Sequence, residues 1–176
     1  MVTVFFGPYL TSVAAASADA SGLPFLFWSV HPGAWFSFIV SLSVIGQVLV
    51  LPVIGSIVDS TPRKRLVLGA TAYAGAIATM LMYMVQVTAG HYLLGGGLFV
   101  LANVFFGASM VVYNAFLPVV ASASERDAVS SRGWALGYLG GGLLLFAHLI
   151  LFKSADSFDG GTEHVVRVIL ASTGVW

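Results

Sequence analysis

The sequence predicts an all-α integral membrane protein in which six apolar helices form a single transmembrane domain over residues 1–176. Charged residues make up only 8% of the chain, against about 25% in an ordinary soluble domain. Apolar residues reach 59%, and several uncharged runs exceed the roughly 20 helical residues that cross a bilayer core. Seven basic and seven acidic residues cannot cover a soluble domain of this size, so we expect lipid around most of the surface.

The charge and cysteine content exclude several function classes. The formal net charge is zero, so the chain has no basic footprint for nucleic acid. Cysteine is absent, which removes disulfides, thiolate metal ligands and thiol catalysis. The histidines His31, His91 and His164 are not spaced as metal ligands on one helix. We therefore expect no metal, no cofactor and no nucleic-acid partner.

Four long uncharged runs predict complete spans, and two shorter runs predict incomplete ones. The complete spans are predicted at residues 34–58, 66–87, 92–121 and 133–152. The apolar runs 1–16 and 165–176 are too short to cross a bilayer comfortably and lie at the ends of the sequence. We therefore expect the first and last helices to be truncated and the chain to be a fragment of a longer protein.

The basic residues predict the orientation in the membrane. Alternate connections lie on the same side of a bilayer, which places five cations together: Arg63, Lys64, Arg65, Arg126 and Arg132. The other side holds Lys153, and Arg167 lies just inside the last helix. The positive-inside rule then assigns the richer side to the cytoplasm. Short loops and the lack of a targeting segment favour a bacterial inner membrane.

The connection between the second and third spans carries the most informative motif. Gly55 and Asp59 are one helical turn apart and therefore share a helix face. Arg63, Lys64 and Arg65 follow and would anchor the third helix at the membrane edge. The simplest interpretation of these charges is a topology anchor. A functional interpretation depends on their spacing.

That spacing, Gly-x3-Asp-x3-Arg-Lys, resembles the loop motif of the major facilitator superfamily of transporters. It departs from the motif at Ser60, which is usually basic, and at Pro62, which is usually glycine. In that family the charged residues of the loop latch one half of the transporter to the other on the cytoplasmic side. The resemblance implies such a role for Asp59 and Arg63.

Further segments resemble the vacuolar-effluxer-like branch of this superfamily. They are Phe6–Leu10, Tyr113–Pro118, Ser130–Gly133 and Ala135–Gly142. The resemblance implies the six-helix N-terminal half of a major facilitator bundle, with a second six-helix half as its missing partner. It also implies secondary active transport by alternating access, with amino acids or similar small polar solutes as substrates.

Polar residues inside the spans are candidates for a solute path, because each is costly in hydrocarbon unless it faces protein or water. These candidates are Tyr9, Gln47, Asn103 and Asn114. All four donate and accept hydrogen bonds, which suits a zwitterionic or polar solute. The alternative is hydrogen bonding between helices, worth about 0.6 kcal/mol on average. His148, the titratable side chain inside a complete span, is open to the same two interpretations.

Glycines crowd the fifth span and mark either a packing face or a hinge. They are Gly137, Gly140, Gly141 and Gly142. In lipid, close approach of backbones is what holds helices together, so packing is the simpler interpretation.

Two alternatives to a transporter remain open from the residues. An intramembrane serine hydrolase would need a Gly-x-Ser-x-Gly elbow, but Ser109 is followed by Met110 and then Val111. The second alternative is a membrane protein that does not transport. A chain that lacks a second half would fall in that class.

Overall fold

The computed structural model describes residues 2–19, 22–25 and 27–176, and most of them are helical. In chain order the helices are α1 (Val2–Ser17), α2 (Trp35–Ser60), α3 (Lys64–Leu81), α4 (His91–Asn114), α5 (Leu117–Val120), α6 (Arg126–Lys153) and α7 (Gly161–Val175). Helix is the expected outcome in lipid, because it satisfies every backbone hydrogen bond within the segment.

The predicted all-α membrane-type fold with four long apolar helices is confirmed. Four helical stretches are long and apolar enough to cross a membrane: Pro32–Ser60, Lys64–Met84, His91–Val120 and Arg126–Lys153. Helices α1 and α7 have 16 and 15 residues and are shorter than a typical span, as predicted. Met1, which the first predicted span includes, lies outside the described residues.

The fourth predicted span, 92–121, is divided into two helices near a proline. Helix α4 ends at Asn114 and the four-residue helix α5 follows after a turn at Ala115 and Phe116, so the predicted span 92–121 is not one continuous helix. Pro118 is the reason, because it has no N–H for the carbonyl of Asn114 and its ring crowds that carbonyl.

Other helix ends lie outside the apolar runs that predicted them. Helix α6 begins at Arg126 rather than Gly133, and α7 begins at Gly161 rather than Val165. Polar residues continue a helix into water readily, whereas hydropathy marks only the part that lies in lipid. The third span shows the opposite deviation, since its helix gives way to a 3-10 turn at Met82–Met84 and does not reach Val87.

A short hairpin lies in the first connection, which carried no strand prediction. Strand β1 (Leu23–Phe25) pairs antiparallel with β2 (Trp28–Val30). The hydroxyl of Tyr92, on the first turn of α4, donates a hydrogen bond of 2.7 Å to the carbonyl of Pro24. The hairpin therefore packs over one end of the helices.

Helix α4 lies at the centre of the bundle, with α2 and α3 packed along it and α1 against its first half. The rings of Phe6 on α1 and Phe99 on α4 stack at 5.8 Å. Gly75 on α3 lies close to α4, since a Cβ placed on it would be 3.6 Å from the carbonyl oxygen of Ala102. Helix α6 differs from these, because His148 is its one fully buried residue within the described chain.

The helices place the two basic connections at the same end. Helices α2 and α4 run in the same direction, because Trp35 bonds to Tyr92 near their beginnings and Gly55 faces Val111 near their ends. The α2–α3 loop and the α4–α6 connection therefore meet, and we name this the basic end. The hairpin, the α3–α4 connection and the α6–α7 connection lie at the opposite end.

Candidate functional site

The loop motif is assembled at the basic end. Asp59 lies exposed in the last turn of α2, which ends at Ser60 because Thr61 is extended and Pro62 follows. Arg63 precedes α3, and Lys64 and Arg65 form its first turn. A cavity of about 580 Å³ is lined by Pro62, Arg63, Lys64, Arg65, Leu66, Phe116, Val119 and Val120. The three basic residues thus share a cavity with apolar residues of α5 and of the turn before it, and Asp59 stays exposed.

Two of the four predicted path residues come together between α2 and α4. The Gln47 amide Nε2 donates 3.0 Å to the backbone carbonyl of Asn103. The Asn103 amide Nδ2 donates 2.7 Å to the hydroxyl of Ser43, a fully buried residue that the sequence did not single out. Ser43 could have been found in the sequence as a hydroxyl-bearing residue within an otherwise apolar helix. This pair therefore joins two helices, as the alternative interpretation predicted, and leaves the side-chain oxygens of Gln47 and Asn103 as remaining acceptors.

The other two predicted path residues lie apart from this pair. The hydroxyl of Tyr9 donates 2.7 Å to the carbonyl of Val85 in the α3–α4 connection and lies 3.4 Å from Oε1 of Glu163. Asn114 is exposed at the last residue of α4, near the basic end. The structure therefore brings Gln47 and Asn103 together and separates Tyr9 and Asn114 from them.

A larger cavity lies between α1, α3, α4 and α7. It measures about 940 Å³, and its polar lining residues are Thr3, Tyr73, Thr79, Asn103, Ser109 and Thr173. Its walls are otherwise apolar, including Phe99 and Phe106 from α4. Asn103 is the predicted path residue that lines this cavity within the described chain. Such a mixture of apolar walls and a few hydrogen-bonding groups is typical of sites for small solutes.

His148 connects α6 to the rest of the bundle. Its Nε2 lies 3.0 Å from the hydroxyl of Ser172 on α7, and the Phe5 ring of α1 meets it edge to face at 6.3 Å. The Ser172 hydroxyl also lies 3.0 Å from the carbonyl of Ile169 on its own helix. The buried Nδ1 has no hydrogen-bond partner among the described residues.

The predicted packing glycines of α6 have few neighbours. A Cβ placed on Gly140 would lie 3.6 Å from Cζ2 of Trp176, an ordinary contact distance. Gly137, Gly141 and Gly142 would meet nothing within 4 Å in the part of the chain that the structure describes. The glycines of α6 are therefore largely unpacked against the described residues.

Sequence reasoning missed Glu163 and Arg167 as structural residues. Glu163 accepts a hydrogen bond of 3.1 Å from the backbone N–H of Val87. Arg167 donates 2.6 Å from Nε to the carbonyl of Tyr83 and lies 4.5 Å above the ring of that tyrosine. Their spacing of four residues on one helix was the available signal, because it places them on the same face.

The bundle of long apolar helices, with polar groups paired inside it, defines a helical integral membrane protein. The family model described as "Vacuole effluxer Atg22 like" matches residues 11–176. The chain therefore belongs to the Atg22-like vacuole effluxer family, within the major facilitator superfamily to which its motifs bear a resemblance.

Curated relatives agree with this assignment. "Autophagy-related protein 22-1" of Penicillium rubens is 38% identical over 112 residues, which is 61% of this chain and 18% of that protein. "Uncharacterized MFS-type transporter YxiO" of Bacillus subtilis is 23% identical over all of this chain and 40% of its own length. "Autophagy-related protein 22-2" of Sclerotinia sclerotiorum is 42% identical over 88 residues, 49% of this chain and 12% of that protein. The chain thus spans less than half the length of these relatives, and no solved structure matches it.

Proposed function

We propose that this chain is the N-terminal half of a secondary active transporter that works by alternating access. The observation that carries the proposal is the contrast between α4, the most buried of the four long apolar helices, and α2 and α6, which bury few of their residues. Alternating access requires two halves that rock against each other around a site near the membrane midplane. Exposed spans whose glycines have few neighbours provide a surface on which a second half can pack.

A second six-helix half is the partner that we propose for α2 and α6. The curated relatives are more than twice the length of this chain, which leaves room for six further spans. Gly137, Gly141 and Gly142 leave space for a helix to approach the α6 backbone closely. The rest of the apolar surface faces lipid.

Amino acids or similar small polar solutes are the proposed substrates. The cavity of about 940 Å³ offers a carboxamide at Asn103 and hydroxyls at Thr79, Ser109 and Thr173. Such groups bind a zwitterion by hydrogen bonds without fixing a charge in the membrane. Gln47 supports Asn103 from α2, while Tyr9 and Asn114 would act nearer the two ends of the bundle.

We also propose that the basic end is cytoplasmic and that its loop motif latches the two halves. Arg63, Lys64 and Arg65 lie together there, as the positive-inside rule expects. Asp59 is exposed one helical turn after Gly55 and is free to meet a cation of the second half. The bacterial relative matches over the whole chain, which supports a bacterial plasma membrane as the location.

Solute uptake by the full-length protein in proteoliposomes tests the proposal. We expect uptake of at least one amino acid from a panel measured with and without a pH gradient. Since coupling between two conformations is typically worth about 1–3 kcal/mol, Asp59→Asn is expected to slow uptake at least about fivefold. Insertion into the bilayer should not change.

Asp127→Asn is the matched control, because it removes the same charge at the same end from an exposed position outside the motif. Its uptake rate should equal that of the unmodified protein. If no solute moves under any gradient, the transporter proposal fails. If both variants lose uptake equally, the latch at Asp59 fails and only surface charge matters.

A further inference from the structure

The α3–α4 connection lies at the opposite end of the bundle and, apart from one 3-10 turn, lacks helical hydrogen bonds. After Leu81 the chain makes one 3-10 turn, becomes extended at Val85 and re-enters helix at His91. Val85 is fully buried, so its surroundings supply little water. Backbone groups that lie away from water need partners from elsewhere in the protein.

Side chains from α1 and α7 supply two of these partners. The hydroxyl of Tyr9 donates to the carbonyl of Val85 at 2.7 Å. The carboxylate of Glu163 accepts from the N–H of Val87 at 3.1 Å. The Tyr9 hydroxyl oxygen lies 3.4 Å from that carboxylate, so α1 and α7 meet directly above the connection.

Arg167 and His91 satisfy two further backbone groups. Arg167 donates to the carbonyl of Tyr83 at 2.6 Å, and its guanidinium lies over the Tyr83 ring. This geometry adds a cation–π attraction to a charge-assisted hydrogen bond. Nδ1 of His91 accepts from the N–H of Gln86 at 3.0 Å, which ties the connection to the start of α4.

The end of α1 is fixed to the same connection. The hydroxyl of Ser17 accepts from the N–H of Gly90 at 3.2 Å and lies 3.4 Å from the carbonyl of Thr88. Gly90 has a φ of 86°, a left-handed conformation that suits glycine at the turn into α4. Two separate points along α1 thus bind the connection.

We propose that Tyr9, Glu163 and Arg167 form a clamp that joins α1 and α7 to the α3–α4 connection, so that these helices move as one body. The three are positioning residues, and the inference rests on the proposed transport function. It gives the Tyr9 hydroxyl a role in holding the bundle beyond the solute contact proposed for it above. The clamp stays closed throughout the transport cycle, whereas a gate opens and closes.

A reversible covalent lock tests whether the clamp ever opens. This chain has no cysteine, so Ser17→Cys with Thr88→Cys introduces the only thiols of this half. The full-length protein, with any cysteines elsewhere replaced by serine, is assayed for uptake after oxidation, once loss of both free thiols shows that the disulfide has formed, and again after reduction. The clamp predicts the same uptake rate in both states, because the disulfide would join parts that do not separate. Uptake that disappears on oxidation and returns on reduction would overturn it.

Two substitutions of Glu163 test whether its side-chain oxygen or its negative charge is what the clamp needs. Glu163→Ala removes the acceptor for Val87 and should lower the maximal uptake rate at least about fivefold with little change in KM. Glu163→Gln keeps a side-chain oxygen and should recover most of the rate. A loss in Glu163→Gln as large as in Glu163→Ala would contradict the positioning role.

A double-substitution cycle needs no transport and so separates the clamp from the proposed function. Tyr9→Phe, Glu163→Gln and the double variant are compared by melting temperature in detergent. Because the two side chains meet at 3.4 Å, the effects are expected to be non-additive. Additive effects would count against the clamp. Absence of uptake in the unmodified protein would instead count against the transport proposal.

Discussion

The two glycine triplets of the bundle lie in very different surroundings. In α4, a Cβ placed on Gly95 would lie 2.8 Å from Cδ1 of Leu10 on α1, and one on Gly96 would lie 2.9 Å from Cδ1 of Ile39 on α2. Both distances are shorter than real Cβ contacts. These two glycines therefore let three helices approach one another.

In α6 the triplet Gly140–Gly142 has almost no neighbours. Gly140 makes one ordinary contact, and Gly141 and Gly142 meet no atom within 4 Å among the described residues. Two of the three glycines thus hold helices together in α4, where Gly97 meets nothing within 4 Å among the described residues, whereas none of the three makes a tight contact in α6. Glycine content alone does not tell an internal interface from an external one.

The largest effect on stability is expected from adding a side chain at a packed glycine of α4. Gly96→Leu adds four carbons where the first already clashes with Ile39, and Trp35 Cζ2 lies only 3.3 Å from that position. Overpacking of this kind costs about 1–3 kcal/mol or more. We expect a clear loss of thermal stability and of folded yield, measured by size-exclusion chromatography of the detergent-solubilised protein.

Gly142→Leu is the matched control for this substitution. It makes the same chemical change in a helix of similar length, and it meets no neighbour in the described chain. Folded yield should stay close to that of the unmodified protein. Equal losses in the two variants would remove the distinction between the triplets.

Transport should respond to Gly142→Leu even though this half stays folded. If the α6 face receives the second half of the transporter, the larger side chain obstructs that approach. We expect uptake by the full-length protein to fall at least about fivefold, the lower range of typical conformational coupling. Uptake equal to that of the unmodified protein would mean that the α6 face meets lipid.

The spans could be predicted from sequence because lipid imposes a simple chemical rule on them. Uncharged runs around Gln47 and Asn103 mark helices whatever their neighbours are. The ends were less predictable, since Arg126 to Arg132 continue α6 outside the apolar run. The 3-10 turn at Met82–Met84 has no signal in hydropathy at all.

The contacts of individual residues could not be predicted from the sequence, for a physical reason. A helix that is apolar all round has no amphipathic face that says which side packs inward. Nothing in the sequence therefore distinguished Asn103, which meets Ser43, from Asn114, which is exposed. Glu163 lies just before the predicted last span and was therefore expected in a loop. The fold shows that its carboxylate reaches the backbone N–H of Val87.

The polar links that α4 and α6 make to their neighbours are also expected to differ, and the smallest effect of all should come from the link to α4. Ser43→Ala removes the acceptor of the Asn103 amide, and because hydrogen bonds between membrane helices are worth about 0.6 kcal/mol on average, we expect a loss of that size. Ser172→Ala leaves the 4% exposed His148 without its partner, and a buried unsatisfied group costs about 1–3 kcal/mol. Thermal unfolding in detergent measures both. Since His148 is the buried residue of α6, the larger loss should come with faster proteolysis of that helix, and a larger loss in Ser43→Ala would reverse the ranking of the two links.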